Sequence, residues 1–496
     1  MSQTRWNPVF ESQHATENLT PMFIGGEWRG ASSEGAEPVF NPATGEVLCR
    51  VPMEAANGQY VDEAAQAATR AFPAWRETPV TDRVQYLFHY KQLLQDNFEA
   101  LARQVTVENG KTLEDARAEV RRGIEVVDFA CGMPTLMMGE TVEQIARGID
   151  GYTVRVPVGV AAGICPFNFP VMIPLWMFPI AIAAGNTFVL KPSERTLLSG
   201  VLLAELFSRT GAPAGILNLV HGGRDTVDSL LQNGDIRAIS FVGSAPVAKY
   251  VYEQAAVTGK RVQALGGAKN HLIVMPDADL DLTVKAILSS AFGAAGQRCL
   301  AGSVVIAVGE VGDELVARLW KSAAQLRLGS GLQQDVAMGP LVRQDAVKRV
   351  RSYVEQGLQQ GARLVLDGGS ADSQNGFFVR PFIFDHVTPE MTIAKEEIFG
   401  PVLCVMRARE LDDALAIANT SRFGNAASIF TRSGAAARQF RTRVQAGMVG
   451  VNIGVAAPAA FFPFTGWKGS FFGDLHATGK DGVRFYTETR AVVERW

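Results

Sequence analysis

One cysteine stands where a reactive group can be approached closely. Cys299 lies in "FGAAGQRCLAGS", among glycine and alanine residues and directly after Arg298. Small neighbours let substrate and backbone come near the thiol, and the positive field of Arg298 favours the nucleophilic thiolate. A lone cysteine is more often a small buried hydrophobic residue. The local sequence therefore leaves two interpretations of Cys299, a nucleophile or a packing residue.

An asparagine in a proline-rich loop is the second candidate. Asn168 follows a strand-like segment in "GICPFNFP". An amide buried there without a partner would be costly, and its N–H groups are suited to stabilising an oxyanion. An ordinary turn asparagine is the alternative interpretation.

Two other strand ends carry groups that suit a dinucleotide. "FVLKPSE" places Lys191 and Glu194 after a strand, where an acid can bind ribose hydroxyls and repel a 2′-phosphate. "FVGS" ends a strand at Ser244, where the N–H groups of a following helix can meet a pyrophosphate. The usual G-x-G-x-x-G, Walker A, H-E-x-x-H and G-x-S-x-G patterns are absent.

The elements that must position these groups alternate along the chain. Strand-like segments "VGVAAGI", "TFVLK", "GILNLV", "AISFVG" and "HLIVM" are separated by helical ones, and a second alternating block runs from Asp277 to about Ile453. This pattern predicts an α/β fold of βαβ units with a parallel sheet. Open α/β sheets place their sites at strand ends, so we expect the Cys299 loop at such an edge.

An amphipathic helix is predicted in "TLEDARAEVRRGIEVVDFA". Its apolar residues recur at intervals of three and four: Leu113, Ala116, Val120, Ile124 and Val127. Arg122 lies about 200° from Val120 around the helix. Periodicity alone therefore predicts a solvent-exposed Arg122.

Composition excludes several classes of protein. The 496 residues suit two or three domains, and a net charge of −3 offers no footprint for nucleic acid. Five scattered cysteines predict a reducing cytoplasm rather than a disulfide framework. The six histidines show no metal-ligand spacing, so no metal site is predicted.

Two segments bear on targeting. The first 20 residues lack a basic start followed by an apolar run, so no secretory signal is predicted. The uncharged stretch from Val156 to Leu190 contains five prolines, which favours a buried part of a soluble domain over a membrane span.

Longer stretches resemble a known family. "ENGKTLEDARAEVRRGIE", "PFNFPVMIPLWMFPIAIAAGNTFVLKPSER", "ISFVGS", "GAKNH", "FGAAGQRC", "KEEIFGPVL" and "FTGWKGSFFGDLHATGKDGVRFYTET" appear in the order typical of the aldehyde dehydrogenase superfamily. Within it, the chain looks most like the CoA-acylating methylmalonate-semialdehyde (malonate-semialdehyde) dehydrogenases. The resemblance implies a Rossmann-like NAD-binding domain over 1–131 and 152–263, a catalytic α/β domain over 264–460, and a small β oligomerisation extension over 132–151 and 461–496. It further implies a cytoplasmic homotetramer built as a dimer of dimers.

The resemblance also implies roles for individual residues. Cys299 matches the nucleophile, and Asn168 with the Cys299 N–H matches the oxyanion hole. Arg122 and Arg298 match two arginines that bind the substrate carboxylate, against the solvent-exposed interpretation of Arg122. The residues matching cofactor contacts are Cys165, Phe167, Lys191, Glu194, Arg195, Ser244, Gly266, Glu397 and Phe399.

A missing carboxylate predicts the acyl acceptor. Hydrolytic relatives carry a glutamate in an "E-L-G-G-K" segment, and aligning "LGGAKNH" on it by Lys269 puts Leu265 at that position. Leucine cannot activate water, whose pKa is about 15.7, whereas a thiol near about 8.5 is partly ionised at neutral pH. Coenzyme A is therefore predicted as co-substrate beside NAD, with propionyl-CoA or acetyl-CoA formed after loss of CO2.

Departures from the family keep alternatives open. The acylating relatives usually carry Asn-Met where this chain has Leu265 and Gly266, a proline-rich run where it has "GVAAPAAFF", and a glycine where it has Ala248. A different or longer aldehyde, hydrolytic release of the acyl group, and a non-catalytic NAD-binding protein are the competing interpretations. The pathway that the family suggests, such as valine breakdown, rests on resemblance alone.

Overall fold

The computed structural model describes residues 19–30, 35–53, 58–369 and 375–496. Most of the first 20 residues, on which the secretory-signal prediction rests, lie outside the described residues. Short segments within the predicted NAD-binding and catalytic domains lie outside them as well.

The strands of the described residues are numbered in chain order. They are β1 Met22–Ile24, β2 Glu27–Arg29, β3 Glu37–Phe40, β4 Val47–Val51, β5 Thr141–Ala146, β6 Ile149–Pro157, β7 Val160–Ile164, β8 Thr187–Lys191, β9 Leu217–Leu219, β10 Ile236–Val242, β11 Arg261–Leu265, β12 Asn270–Val274, β13 Gly302–Val308, β14 Arg363–Leu366, β15 Phe382–Asp385, β16 Val402–Ala408, β17 Phe423–Gly424, β18 Ala426–Phe430, β19 Met448–Val451, β20 Trp467–Lys468, β21 Phe471–Gly473 and β22 Thr487–Arg495.

The helices of the described residues follow the same convention. They are α1 Gln59–Glu77, α2 Val80–Asp96, α3 Phe98–Asn109, α4 Leu113–Cys131, α5 Met133–Leu136, α6 Met172–Ala183, α7 Leu198–Ser208, α8 Arg224–Gln232, α9 Ala245–Val257, α10 Leu280–Phe292, α11 Val311–Ala323, α12 Gln344–Gln359, α13 Thr392–Lys395, α14 Leu411–Thr420, α15 Gly434–Arg443 and α16 Gly479–Phe485.

Two sheets carry most of the core. The first has the order β2-β1-β9-β8-β7-β10-β11-β21, and its five central strands β9, β8, β7, β10 and β11 run parallel. The second has the order β14-β15-β16-β13-β12-β18-β19, with β14 as the antiparallel edge strand. The predicted α/β class is confirmed, because the strands expected from alternation pair in parallel with helices between them.

A third, three-stranded sheet stands apart from these two. It has the order β22-β6-β5, and β22 pairs antiparallel with β6 along its full nine residues, from Thr487 opposite Pro157 to Arg495 opposite Ile149. All six residues of β5 are exposed. The sheet thus presents a broad surface to solvent in a single chain.

The uncharged stretch forms buried structure. Helix α6 is buried at each of its twelve residues, despite Pro179 in its interior. Among the described residues, no helix is long and apolar enough to cross a membrane. The apolar residues of α6 thus fill the core between α4 and strand β8 of the first sheet.

Helix α4 has the predicted stripe. Ala116, Val120, Ile124 and Val127 are all buried. The Thr112 hydroxyl caps the helix by accepting a hydrogen bond from the Asp115 N–H. Helix α4 packs closely on α6, so one side of α4 faces the loop before α6 that carries Asn168.

Candidate active site

The Cys299 loop begins with a strained turn. After α10, Ala294 and Ala295 have φ of 48° and 53°, in the left-handed region that costs energy for a residue with a Cβ. The Asp115 carboxylate accepts a hydrogen bond of 3.2 Å from the Ala294 N–H. A Cβ on Gly296 would lie 2.3 Å from the Gly400 carbonyl oxygen, so this position requires glycine. After this turn the chain passes Cys299 and enters β13 at Gly302.

The Cys299 thiol differs from the other cysteines. Cys299 is partly exposed, whereas the other four cysteines are buried. Burial, and then the charge of Glu397, raise the pKa of the Cys299 thiol to about 12, while Arg298 acts in the opposite direction. The influence of Arg298 thus has the predicted sign but is outweighed, and the free protein holds a protonated thiol.

Asn168 lies beside the Cys299 loop. Its Nδ2 donates a hydrogen bond of 3.0 Å to the carbonyl oxygen of Gln297, two residues before the thiol. The preceding carbonyl, of Phe167, accepts hydrogen bonds from Asn109 and Thr196, each of 3.0 Å. The structure thus brings together Asn168 and the Cys299 loop, which are 131 positions apart in the sequence.

A buried ion pair supports the Asn168 loop. Lys111 Nζ lies 2.6 Å from Glu119 Oε2, and the exposed fractions of the two side chains are 1% and 0%. Lys111 Nζ also donates to the Asn168 carbonyl oxygen at 2.6 Å. Sequence reasoning missed both residues, because a lysine and a glutamate near the start of an amphipathic helix are typical of a solvated surface.

A cavity of about 210 Å³ opens beside Cys299. Trp176, Phe464 and Val455 contribute apolar wall, and Arg122 and Arg298 contribute charge. Its size suits a small molecule. Glu125 and Asp115 also line it, each 3.9 Å from Arg122 and Arg298 respectively, so the charged part of the wall carries both signs.

The two arginines have protein partners within this wall. Arg122 Nη1 donates to the Pro458 carbonyl oxygen at 2.9 Å, and its side chain is 40% exposed. Arg298 donates to the carbonyl oxygen of Ser289 and lies 3.9 Å from Asp115 Oδ1. Arg122 therefore lines the cavity while its side chain stays 40% exposed, so the exposure expected from periodicity and a place in the cavity wall hold together.

A second group of predicted residues lies at the carboxyl ends of β7 and β8. Lys191 Nζ is 3.1 Å from Glu194 Oε2, and the Cys165 N–H donates to the Lys191 carbonyl oxygen at 3.0 Å. Arg195 stacks over the Phe167 ring at 5.5 Å, and Phe167 meets the Phe399 ring edge-on at 5.8 Å between centroids. These residues lie in contact at the sheet edge, where Lys191 and Cys165 are buried.

Ser244 and Gly266 end the next two strands of the same sheet. Ser244 follows β10 and is the N-cap of α9, where the first N–H groups of a helix lack partners within the helix. Gly266 follows β11, and a Cβ there would lie 3.1 Å from the Gly469 carbonyl oxygen and 3.3 Å from Ala245 Cα. The Gly266 N–H donates to the Ser470 carbonyl oxygen at 2.9 Å, so glycine at this position allows close packing of the backbone against the Gly469 segment.

Glu397 interacts electrostatically with the Cys299 thiol. Its Oε1 accepts a hydrogen bond of 2.9 Å from the Ala268 N–H. Burial raises the pKa of Glu397 to about 7, against the opposing effect of Lys269. Lys269 is buried, its pKa is lowered by that burial, and its Nζ has no hydrogen-bond partner among the described residues. An unpartnered buried ammonium next to a partly neutral carboxyl marks an incomplete polar site.

The position of the missing carboxylate is apolar in the structure. Leu265 is the last residue of β11 and only 5% exposed, and it belongs to the hydrophobic cluster against which Cys299 packs. Among the described residues, no group of three or more His, Cys, Asp or Glu side chains is arranged to hold a metal ion.

Comparisons with known proteins identify the family of the chain. The model of the Aldehyde dehydrogenase family matches residues 28–492. The chain is 57% identical over 475 residues, 95% of its own length and 98% of the relative's, to "Malonate-semialdehyde dehydrogenase 2" of Geobacillus thermodenitrificans. It is 53% identical, over 97% of its own length and 99% of the relative's, to "Malonate-semialdehyde dehydrogenase" of Halalkalibacterium halodurans.

Solved structures give the same result. A methylmalonate-semialdehyde dehydrogenase from Oceanimonas doudoroffii superposes with a TM-score of 0.94 at 46% identity, covering 96% of this chain and 98% of that one. A Sinorhizobium meliloti protein described as a putative methylmalonate-semialdehyde dehydrogenase complexed with NAD also gives 0.94, at 45% identity, covering 98% and 99%. The predicted fold and resemblance are confirmed: the chain belongs to the aldehyde dehydrogenase family.

Proposed function

We propose that this protein is an NAD-dependent, CoA-acylating dehydrogenase for a semialdehyde of the malonate or methylmalonate type. The observation that carries the proposal is the Cys299 thiol at the wall of a cavity that also contains Arg122 and Arg298. A semialdehyde of this type has a carbonyl for the thiol and a carboxylate for the arginines. The names of the relatives at 53–57% identity support the same substrate class.

The residues present fit NAD. Glu194 at the end of β8 suits ribose hydroxyls and disfavours a 2′-phosphate, and the Ser244 helix start suits a diphosphate. The unpartnered Lys269 and the Glu397 carboxyl leave polar capacity for the rest of the ligand. Phe167, Phe399, Cys165, Arg195 and Gly266 complete the proposed contact surface. NAD, when bound, supplies the hydride acceptor.

Cys299 is proposed as the nucleophile and Asn168 as the oxyanion donor. The thiol must lose its proton to solvent before attack, and the negative charge of Glu397 opposes this loss because it raises the pKa of the thiol. The Asn168 amide has two N–H donors, and one is used by Gln297. The other is available, with the Cys299 N–H, for the oxygen of the tetrahedral adduct.

The arginines are proposed to hold the substrate carboxylate. Their guanidinium groups suit bidentate binding of a planar anion, and Pro458 and Ser289 fix them by their carbonyl oxygens. After oxidation the acyl group is a thioester on Cys299. Loss of the β-carboxylate as CO2 leaves an electron pair on the α-carbon, which then takes up a proton, giving a propionyl or acetyl group.

Coenzyme A is proposed as the acyl acceptor. The side chain at the carboxyl end of β11 is Leu265, which cannot accept a proton from water. A thiol near a pKa of about 8.5 supplies its own nucleophilic anion at neutral pH. Thiol exchange on the thioester therefore requires less help from the protein than hydrolysis does.

One observation favours a second candidate, hydrolytic release of the acyl group. Glu397 interacts electrostatically with Cys299 and has a pKa raised to about 7, within the range of an effective general base. A water molecule activated by Glu397 would yield a free acid and make CoA dispensable. The Glu397→Gln variant would then lose turnover without CoA but retain turnover with CoA.

The experiment that tests the function is product analysis. Purified protein is given malonate semialdehyde and NAD, with and without CoA, and NADH and acetyl-CoA are quantified. We expect CoA to raise steady turnover and acetyl-CoA to match NADH. Equal turnover without CoA, with free acid as product, would contradict acylation. The Cys299→Ala variant serves as the control, and a protein that binds NAD yet oxidises none of the aldehydes would be a non-catalytic member of the family.

The assembly and the domain division are part of the proposal. The proposed cofactor domain comprises 1–131 and 152–263, and the proposed catalytic domain comprises 264–460. The proposed oligomerisation extension comprises 132–151 and 461–496. The three-stranded sheet β22-β6-β5 exposes Val142, Ile145 and Val493, with exposed fractions of 60%, 50% and 67%. An apolar exposed sheet favours association, and we propose a cytoplasmic homotetramer. Light scattering of the purified chain measures its mass directly.

A further inference from the structure

The N-terminal part of α4, together with Lys111 just before it, contacts both of the loops that meet at Cys299. Asp115 accepts from the Ala294 N–H in the turn before the thiol. Glu119, one helical turn further, and Lys111, just before the helix, contact the loop that carries Asn168. One rigid element therefore bridges the thiol loop and the oxyanion loop.

The Lys111–Glu119 pair holds the Asn168 loop by its backbone. Lys111 Nζ donates to the Asn168 carbonyl oxygen at 2.6 Å. Glu119 Oε1 accepts from the N–H groups of Val171 and Met172, at 2.8 Å and 3.2 Å. These contacts fix both ends of a five-residue segment, from the Asn168 carbonyl to the first turn of α6.

Capping of α6 alone does not account for the lysine. A neutral serine or threonine, or a short acid at the N-cap, satisfies free N–H groups without burying a second charge. Burying an ion pair is costly unless every donor and acceptor is used. Lys111 uses its charge on Glu119, on the Asn168 carbonyl and over the Phe169 ring, 4.2 Å from its centroid. The observation that needs explaining is thus a charged group directed at the peptide of Asn168.

We propose that Lys111 and Glu119 are positioning residues that hold the Asn168 amide in place for the oxyanion. This inference rests on the proposed function, in which Asn168 stabilises the tetrahedral adduct on Cys299. Fixing the carbonyl of Asn168 restrains its backbone and so the position from which its side chain projects. A displacement of about 1 Å at such a donor reduces turnover by about 10²-fold.

The first test compares two reactions of the same thiol in the Lys111→Met variant. Aldehyde oxidation forms an oxyanion, whereas alkylation of Cys299 by iodoacetamide does not. We expect kcat for the aldehyde to fall about 10²-fold, with the Kd for NAD and the alkylation rate unchanged. Equal losses in both reactions would overturn the proposal, since they indicate general damage to the Cys299 loop.

A matched control and a milder variant accompany this test. Lys260→Met removes another buried lysine that donates to two carbonyl oxygens, those of Asn233 and Ile236, away from the cavity. It should leave kcat unchanged. Glu119→Gln keeps an acceptor for the α6 N–H groups but can turn amide N–H groups toward Lys111. It should reproduce the fall in kcat, and full activity in soluble Glu119→Gln would contradict the proposal.

A double-mutant cycle separates this inference from the proposed function. If Lys111 acts through Asn168, Lys111→Met should have little further effect on kcat in an Asn168→Ala background. Multiplying effects would overturn the positioning inference while leaving the function intact. An Asn168→Ala variant with undiminished kcat would instead contradict the oxyanion role on which the proposed function relies, and with it the inference.

Discussion

Two lysine and glutamate pairs near Cys299 differ in how completely they are satisfied. Lys111 and Glu119 are in direct contact, and Glu119 also accepts two backbone hydrogen bonds. Glu397 accepts one hydrogen bond from the Ala268 N–H, while Lys269 Nζ has no partner among the described residues. We call Lys111–Glu119 the closed pair and Lys269–Glu397 the open pair. Because buried polar groups are normally paired, the closed pair indicates a structural role and the open pair indicates a place for a ligand.

The largest expected effect tests whether both pairs serve the same centre. Cys299→Ala removes the proposed nucleophile, so we expect turnover of any aldehyde to fall by at least about 10³-fold. NADH formation with saturating NAD and CoA measures it. Cys131→Ala, which alters a buried cysteine at the end of α4, is the control and should retain turnover. Native turnover in Cys299→Ala would show that Cys299 is not the nucleophile, and neither pair could then be assigned to a catalytic centre around it.

Removing one partner of the closed pair should lower the free energy of unfolding substantially. Glu119→Ala leaves Lys111 buried without a counter-charge, and breaking a buried pair in this way costs about 3–5 kcal/mol of unfolding free energy. Urea unfolding of the variant and the parent gives the difference. Glu99→Ala removes an exposed partner of Arg117 and should change stability little. Similar values for the two variants would show that the Lys111–Glu119 pair is not closed in solution.

The open pair should behave in the opposite way. Lys269→Met removes an unpartnered buried ammonium, so the free protein should be as stable as the parent or more stable. If the cofactor supplies the missing partner, the rise in Tm on adding NAD should be smaller in the variant. Thermal unfolding with and without NAD measures both quantities. A loss of stability in the free protein as large as that of Glu119→Ala would contradict the comparison.

The smallest effect concerns pH. Burial raises the pKa of Glu397 from 4.5 to about 7, so the folded protein keeps this proton while the unfolded chain releases it. Ionisation then favours unfolding, and stability should fall as pH rises from about 4.5 to about 7 and level off above. Glu397→Gln should reduce this slope in urea unfolding. An unchanged slope would place Glu397 in a more solvated setting.

A control for this pH effect exists elsewhere in the chain. Glu108 is buried, accepts from the N–H groups of Leu198 and Ser199, and also has a pKa raised to about 7. It should contribute a slope of the same sign, which remains in Glu397→Gln. Alkylation of Cys299, unlike the stability slope, should depend on Glu397 and not on Glu108, because the charge of Glu397 raises the pKa of that thiol. The alkylation profile should therefore shift to lower pH.

Local patterns were sufficient to predict many of the elements and the chemical candidates. Short apolar runs bounded by turn residues located β7, β8, β9, β10 and β12, and the 3.6-residue period located α4, whereas β5, β6 and β11 were not predicted. Cys299 stands out because its neighbours are small, and Asn168, Lys191 and Ser244 stand out because they follow strand-like segments, where open α/β sheets bind ligands. The absence of a carboxylate at Leu265 is likewise readable from the order of residues alone.

Tertiary structure decided what those residues meet. Lys111 and Glu119 resemble surface charges in the sequence, but packing of α4 on α6 buries them. The contact of the exposed Arg122 with the Pro458 carbonyl is likewise visible only in the folded chain. The protonated state of the Cys299 thiol depends on burial and on Glu397, 98 positions away in the sequence. Residue type and local periodicity are properties of the chain order, whereas burial and electrostatic partners arise from contacts between distant segments. The sequence by itself therefore determined the elements and the candidate groups, and the tertiary structure decided their environment.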